Sequence, residues 1–261
     1  MRTDELRGLE ASAITVRFGG VTAVDGAGLE APPGAVTGLI GPNGAGKTTL
    51  LDVVTALRRP SGGTVRFEGT DLTGRTPHER ARRGIARTFQ RPEVFGSLTV
   101  RENVQVAAEI HAMTRDVPGR TRTDRWRRRR AGRREAGAVA DASLERLGIT
   151  EYANHRAGTV PTGIARLVEL ARALATAPRL LLLDEPSSGL SVPAWRSLEC
   201  LLRDLAADGL AVLLVEHDMD VVMGVCDVLY VLDSGRVIAS GPPMEVRANR
   251  RVREAYLGAV R

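Results

Sequence analysis

Gly41-Pro42-Asn43-Gly44-Ala45-Gly46-Lys47-Thr48-Thr49 is the stretch whose reading decides the fold. It fits G-x-x-x-x-G-K-[ST] at every fixed position. The apolar run Ala35 to Ile40 precedes it and the helix-like run Leu50 to Leu57 follows. A strand, a glycine-rich loop and a helix in that order form a phosphate-binding unit. The glycines let the backbone turn tightly and aim N–H groups at anion oxygens. The helix start adds the positive end of its dipole. Lys47 is expected to reach the β- and γ-phosphates of a nucleotide, and Thr48 to place its hydroxyl on Mg2+.

Lys47 is also the only lysine in the chain, where all other basic residues are arginine or histidine. Lysine is a compact charge on a flexible stem, whereas arginine is a planar fork. An arginine-rich sequence that keeps lysine at this one position supports the phosphate reading.

Working outward, Leu180-Leu-Leu-Leu-Asp184-Glu185-Pro186 reads as a buried strand ending in two carboxylates. Strand tips of open α/β sheets are where ligands bind. Asp184 is expected to hold Mg2+ through water, and Glu185 to orient or deprotonate an attacking water. Ala211 to Val215 reads as a second buried strand. Val228 to Gly241 reads as a hairpin turning at Ser234-Gly235, and residues 12–40 as short strands with turns. Thr99-Val-Arg-Glu102 has capping-box spacing and opens a helix. Helices are expected over Ala138 to Leu147, from about Ala165 to Thr176, and through Trp195 to Leu205. Residues 114–134 read as loop-like and then heavily basic. Strands alternating with helices give an α/β fold around a parallel sheet.

The totals narrow the possibilities. The 261 residues suit one large domain, with 43% apolar and 26% charged residues. Only 3% are aromatic, which disfavours base-stacking nucleic-acid modules. Cys200 and Cys226 form neither a CxxC pair nor a disulfide framework. Met1-Arg-Thr-Asp-Glu-Leu-Arg7 lacks the apolar run of a signal peptide. No apolar run approaches the length of a membrane span, so a membrane role requires another chain to supply it.

In this order and spacing, the residues resemble the ATP-binding-cassette family over nearly the whole chain. The resemblance implies a RecA-like parallel-sheet core with an antiparallel β subdomain. A helical subdomain would be inserted at about 92–170, all within one domain of 1–261. It implies that Gly41 to Thr49 cradle ATP and that Phe18 stacks on adenine. Gln90 would link the core to the helical subdomain and touch the metal, and His217 would touch the γ-phosphate. Ser187 to Leu190 matches the loop that crosses the dimer interface. ATP and Mg2+ are the implied cofactors.

Arg87-Thr-Phe-Gln90, Glu216-His-Asp-Met219, Val222-Met-Gly224 and Arg253-Glu-Ala-Tyr-Leu-Gly258 are similar to the ATP-binding subunits of branched-chain amino acid importers. The implied partners are transmembrane permease subunits, a second cassette subunit and, indirectly, an external solute-binding protein. The implied place is the cytoplasmic face of the cell membrane. Urea or short-amide import, lipid export and a soluble cassette acting on ribosomes or DNA remain alternatives. A nucleic-acid partner is not expected. A regulatory subunit that binds ATP without hydrolysis would lack Glu185 or His217, and both are present.

Two features stand apart. Nine arginines between Arg120 and Arg134 surround Trp126. They read as a solvated helix face, with a membrane surface or nucleic acid as alternatives. The second is Val160-Pro161-Thr162-Gly163-Ile164, which stands where the family carries Leu-Ser-Gly-Gly-Gln to read a partner's γ-phosphate. Pro161 has neither a hydroxyl nor an N–H, and Ile164 cannot hydrogen-bond. Gly163 keeps its N–H, and the Thr162 hydroxyl is a partial substitute. The expectation is a heterodimer of unequal sites.

Overall fold

The computed structural model describes residues 8–114 and 122–258, with the side-chain surroundings of 8–114 and 132–256. The leading segment 1–7, read above as no signal peptide, lies outside them. β1 (Leu9–Phe18) and β2 (Val21–Ala31) lead to β3 (Val36–Ile40) and α1 (Lys47–Val54). β4 (Gly62–Phe67), β5 (Thr70–Asp71), α2 (Pro77–Arg82) and β6 (Ile85–Arg87) follow. Three long helices come next: α3 (Val100–Thr114), α4 (Arg122–Arg146) and α5 (Thr162–Leu174). The chain continues through β7 (Leu180–Asp184), α6 (Val192–Ala207), β8 (Ala211–Val215) and α7 (Met219–Val225). It ends with β9 (Val228–Asp233), β10 (Arg236–Gly241), α8 (Pro243–Ala248) and α9 (Arg250–Gly258).

These elements form two compact units. One comprises Met1–Arg87, Arg179–Ser187 and Leu198–Arg261; the other comprises Thr88–Pro178 and Ser188–Ser197.

The first unit holds both sheets. One is ordered β10-β9-β3-β8-β7-β6, parallel from β9 to β6 with β10 antiparallel at the edge. β3, β7 and β8 are buried along their whole length. Continuous apolar runs such as Leu180–Leu183 are what a sheet covered on both faces demands. The other sheet is antiparallel, ordered β2-β1-β4-β5. Ile14, Val24, Leu50, Leu51, Leu182 and Leu213 belong to one apolar cluster joining α1 to both sheets. Each fully buried side chain of this kind contributes about 1.5–3 kcal/mol.

Two contacts hold the loop–helix junction in that unit. Arg80 is wholly buried, and its guanidinium donates to the carbonyls of Val53 and Val54 at the end of α1, and to Leu72. A cation there satisfies carbonyls that the last helical turn leaves open and complements the dipole. The turn between β9 and β10 reaches the phosphate loop, where the Gly235 N–H donates to the Ala45 carbonyl at 2.9 Å.

The second unit has its own core, with Val104 from α3, Ala140 and Leu144 from α4, and Val168 and Ala171 from α5. The Thr99–Glu102 capping box forms as the spacing implies: Glu102 N–H donates to Thr99 Oγ1, and Thr99 N–H to Glu102 Oε2.

Two expectations need correction. The segment read as loop-like is helical from Arg122, the start of α4, as the helix reading of the arginine cluster requires. Arginine is a good helix former, and no proline interrupts 122–146. Residues 115–121 and the side chains of 122–131, with most of the arginine cluster, lie outside the described residues. Arg133 lies 3.7 Å from Glu109. Of the short strands expected over 12–40, β3 is short at 5 residues, whereas β1 and β2 are long, at 10 and 11. Within β2, Gly26 has φ +65° and marks irregular pairing, with the β1–β2 register shifting on either side of the Ile14–Ala27 pair.

Candidate nucleotide site

Three neighbouring strands deliver the site. β3 lies beside β8, and β8 beside β7, all parallel. Their carboxyl ends carry the phosphate loop, Glu216-His217 and Asp184-Glu185 respectively. The first unit thus brings together Gly41 to Thr49, Asp184, Glu185 and His217. Phe18 belongs to the same unit. It is 42% exposed, with the Arg58 guanidinium 4.2 Å from its ring centroid. Gln90, Thr162 and Gly163 belong to the second unit.

The loop's glycines are structural necessities. Gly46, the residue before α1, has φ +104°, and a Cβ there would stand 2.5 Å from the Ala23 carbonyl oxygen. Gly44 has φ +79° with open space around it, so its requirement is conformational. Asn43, Gly44 and Thr48 are exposed at the surface of the loop. Lys47 is buried, and its ammonium donates to the carbonyls of Gly41 at 2.6 Å and Pro42 at 3.0 Å. Burial lowers its pKa, while Glu185, Asp184 and Glu216 raise it. A buried cation at the start of α1, beside a glycine-rich loop, is suited to polyanionic phosphate.

Asp184 is almost completely buried at the tip of β7. Its Oδ2 accepts from Arg87 at 3.1 Å, and the same guanidinium reaches Asp52 of α1 at 2.7 Å. Burial pushes the Asp184 carboxyl up, and Arg87 pulls it back down. Arg87 thereby ties β7 to α1, the helix that follows the phosphate loop. Sequence reading used Arg87 only as part of a resemblance. The paired Asp52, in a different element, gives no local signal.

Glu185 has φ +50°, an uncommon backbone state for a residue with a side chain. Its N–H donates to the Val215 carbonyl at 2.9 Å. Its Oε1 lies 3.8 Å from His217 Nδ1. Backbone held off its preferred basin at a strand tip is a common mark of a functional site.

The donor set also fits Mg2+. Among the described residues, no group of three or more His, Cys, Asp or Glu side chains forms a metal cage. One buried carboxylate, Asp184, and the hydroxyl of Thr48 suit a hard cation that keeps several waters and takes phosphate oxygens.

The family profile described as "ABC transporter" matches residues 24–188. A second profile, "Branched-chain amino acid ATP-binding cassette transporter", matches residues 236–260. The chain belongs to the ATP-binding-cassette transporter family. This cassette is 41% identical over 251 residues to the high-affinity branched-chain amino acid transport ATP-binding protein BraF of Pseudomonas aeruginosa, covering 96% of this chain and 97% of the relative. It is 39% identical over the same length to LivG of Escherichia coli K12, with the same coverage. Among solved structures, it superposes with a TM-score of 0.81 on an ABC-transporter cassette in its ADP conformation. That pair is 32% identical, covering 97% of this chain and 99% of the other. A nucleotide-free cassette gives a TM-score of 0.79 at 31% identity, covering 96% and 98%. This cassette is an ATPase that binds nucleotide and couples hydrolysis to transport. No helix among its described residues is long and apolar enough to cross a membrane.

In the second unit, α5 begins after Pro161, with no side-chain cap. Val160 and Ile164 pack against the apolar cluster of that unit, beside Leu190. Gly163 remains glycine for steric reasons, since a Cβ there would lie 2.8 Å from the Gly189 carbonyl oxygen. Along its flank α5 holds the segment after β6. Arg166 donates to the Gln90 carbonyl, Arg172 to the Glu93 carbonyl, and Glu169 accepts from the Phe89 N–H. Burial pushes the Glu169 carboxyl up to about 7, against the pull of the Phe89 and Glu93 N–H groups.

Proposed function

We propose that this cassette is the ATP-hydrolysing subunit of an importer for branched-chain or related amino acids, seated peripherally on the cytoplasmic face of the membrane. The observation that carries the reading is its 41% identity, nearly end to end, to a branched-chain amino acid transport ATP-binding protein. Its partners are permease subunits and a second cassette, with an external solute-binding protein acting through the permease.

The residues divide the work. Gly41 to Thr49 bind the phosphates, and Lys47 neutralises the β- and γ-phosphates. Phe18 stacks on adenine. Asp184 and Thr48 would hold Mg2+, which when bound supplies charge neutralisation at the transferred phosphoryl group. Glu185 aligns the attacking water and takes its proton, and His217 donates to the γ-phosphate. Gln90 is assigned to the metal by the family resemblance.

Thr162 and Gly163 offer what remains of the signature to a nucleotide on the partner. Because Ile164 packs into apolar core, the second cassette is a different chain. The ATP on Lys47, completed by the partner's signature, hydrolyses faster than the reciprocal one. Glu185→Gln in the assembled transporter should cut turnover by about 100-fold or more while ATP still binds. Undiminished hydrolysis in that variant refutes the role of Glu185. The same substitution in the second cassette should cost less, and equal losses refute the unequal sites. ATPase activity stimulated by DNA or ribosomes, and not by membrane subunits, refutes the importer reading.

A further inference from the structure

The turn at Ser234-Gly235 carries no nucleotide motif, yet three backbones meet there. Its Gly235 N–H donates to the Ala45 carbonyl of the phosphate loop at 2.9 Å. Its Gly235 carbonyl accepts from the Asp25 N–H of β2 at 2.8 Å. The Asp25 side chain holds the next residue, where Arg236 Nε and Nη2 donate to Oδ2 at 2.8 and 2.5 Å. The Ala23 carbonyl oxygen is the common neighbour. A Cβ on Gly235 would lie 2.9 Å from it, and a Cβ on Gly46 2.5 Å. Gly235 also has φ +80°. Only glycine at both positions lets loop, strand and turn approach this closely.

The tie acts on a particular group of the loop. In a planar trans peptide, the carbonyl of one residue and the N–H of the next point in opposite directions. The Gly235 N–H holds the Ala45 carbonyl toward the turn, so the Gly46 N–H of the same peptide points away from it. That N–H has no acceptor among the described residues. The Ala45 N–H, by contrast, is taken inside the loop by the Pro42 carbonyl at 3.2 Å. Gly46 stands at the start of α1, where the helix dipole favours an anion. A hydrogen bond to an anion is among the stronger ones, and it gains most when its donor is aimed before the anion arrives.

We propose that Gly235, Asp25 and Arg236 are positioning residues for phosphate binding, holding the Ala45–Gly46 peptide with its N–H toward the anion. Gly235 makes the direct contact. Asp25 keeps Gly235 in place through its own N–H and, by way of Arg236, through its carboxylate. The Asp25 and Arg236 side chains are 41% and 72% exposed, so the ion pair has the smaller share. The inference rests on the reading of residues 41–49 as the phosphate cradle.

Calorimetric titration of the full chain with MgATP and with inorganic tripolyphosphate tests this, well below the Tm of each variant. Gly235→Ala forces a methyl against Ala23 and strains the turn. It should weaken both probes about 10-fold, the scale of one hydrogen bond to a charged group. Asp25→Asn and Arg236→Gln leave every backbone group in place. Each should weaken both probes about two- to threefold, within the worth of an exposed ion pair. The double variant should lose no more than either alone, because one tie is broken in all three. In the chain labelled with 15N-glycine, saturating tripolyphosphate should move the Gly46 amide proton downfield, and by less in Gly235→Ala. Unchanged affinities in Gly235→Ala overturn the proposal. So does a lowered Tm with both affinities and the Gly46 shift kept, which marks a purely structural turn. A loss confined to MgATP also overturns it, because the turn then acts on the base. If Gly235→Ala does not fold, the Asp25 and Arg236 variants decide by the same measures. If Lys47→Ala binds tripolyphosphate as the wild type does, the reading of the loop fails. If Lys47→Ala loses tripolyphosphate while the other variants keep it, only the proposal fails.

Discussion

Two helix beginnings in this cassette serve opposite ends. α1 opens on Gly46 in a left-handed conformation and is followed at once by buried Lys47. Its N-terminal N–H groups are left for a ligand. α5 opens on Pro161, and the adjoining Val160 and Ile164 turn inward onto an apolar cluster. What α5 holds, it holds along its flank, through Arg166, Glu169 and Arg172 on the backbone at 89–93. A helix N-terminus is a ready anion site only if the residues before it expose it. The same dipole is present in both helices, and the preceding five residues decide its use.

The comparison can be broken most forcefully at α1. Lys47→Ala should weaken ATP binding by about 100-fold, because a charge-assisted contact to two phosphates is lost. Titration with a fluorescent nucleotide reads it, and affinity within twofold of wild type would remove α1's claim. Gly46→Ala should come next. At φ +104° with a carbonyl 2.5 Å from the added carbon, it should cost about 1–3 kcal/mol in denaturant unfolding. It should also impair ATP binding.

At α5 the expected effects are smaller. Pro161→Ser with Ile164→Gln restores groups that hydrogen-bond to phosphate. It should raise total turnover only a few-fold, since one of two sites is affected, and cost about 1 kcal/mol by placing an amide against the core. No gain in turnover would show that the losses at 160–164 do not limit the reciprocal site. The smallest effect concerns pH. The Glu169 carboxyl sits at about 7 in the fold against an ordinary 4.5. The folded state therefore binds the proton more tightly, and this group's contribution is full below about pH 4.5 and lost as pH rises through 7. Glu169→Gln should flatten the fall in Tm between pH 5 and 8 by a few degrees. Parallel pH curves for the two proteins would argue that Glu169 is not held in that state.

What could be read from the sequence follows the range of the interactions. The phosphate loop was legible because its requirements lie within nine residues. β7 and β8 were legible because burial on both faces writes a continuous apolar run. The Thr99–Glu102 box was legible at a spacing of three. Arg87 with Asp52 and Asp184, Arg80 on the end of α1, and Glu216 on Ser187 were not, because each joins residues far apart in the chain. The full length of β2 was hidden for a related reason. A glycine bends a strand or ends it, and only the partner strand decides which. The start of α4 was only half legible, read as a helix face in the arginine cluster and as a loop in the segment around it, because a run of arginines looks the same in either.

The hydrogen bond from Gly235 to Ala45 also bears on how the cassette is made. The glycine-rich loop at 41–49 is fastened by the turn at 234–235, made long after it, and its strand β3 sits between β8 and β9. At ribosomal speeds of about 5–20 residues per second, the loop waits roughly ten to forty seconds for its fastening. A nascent or truncated chain that ends before the hairpin carries the full glycine-rich motif without the clamp that shapes it. Capture of ATP on this loop therefore depends on a turn that is made long after the loop itself.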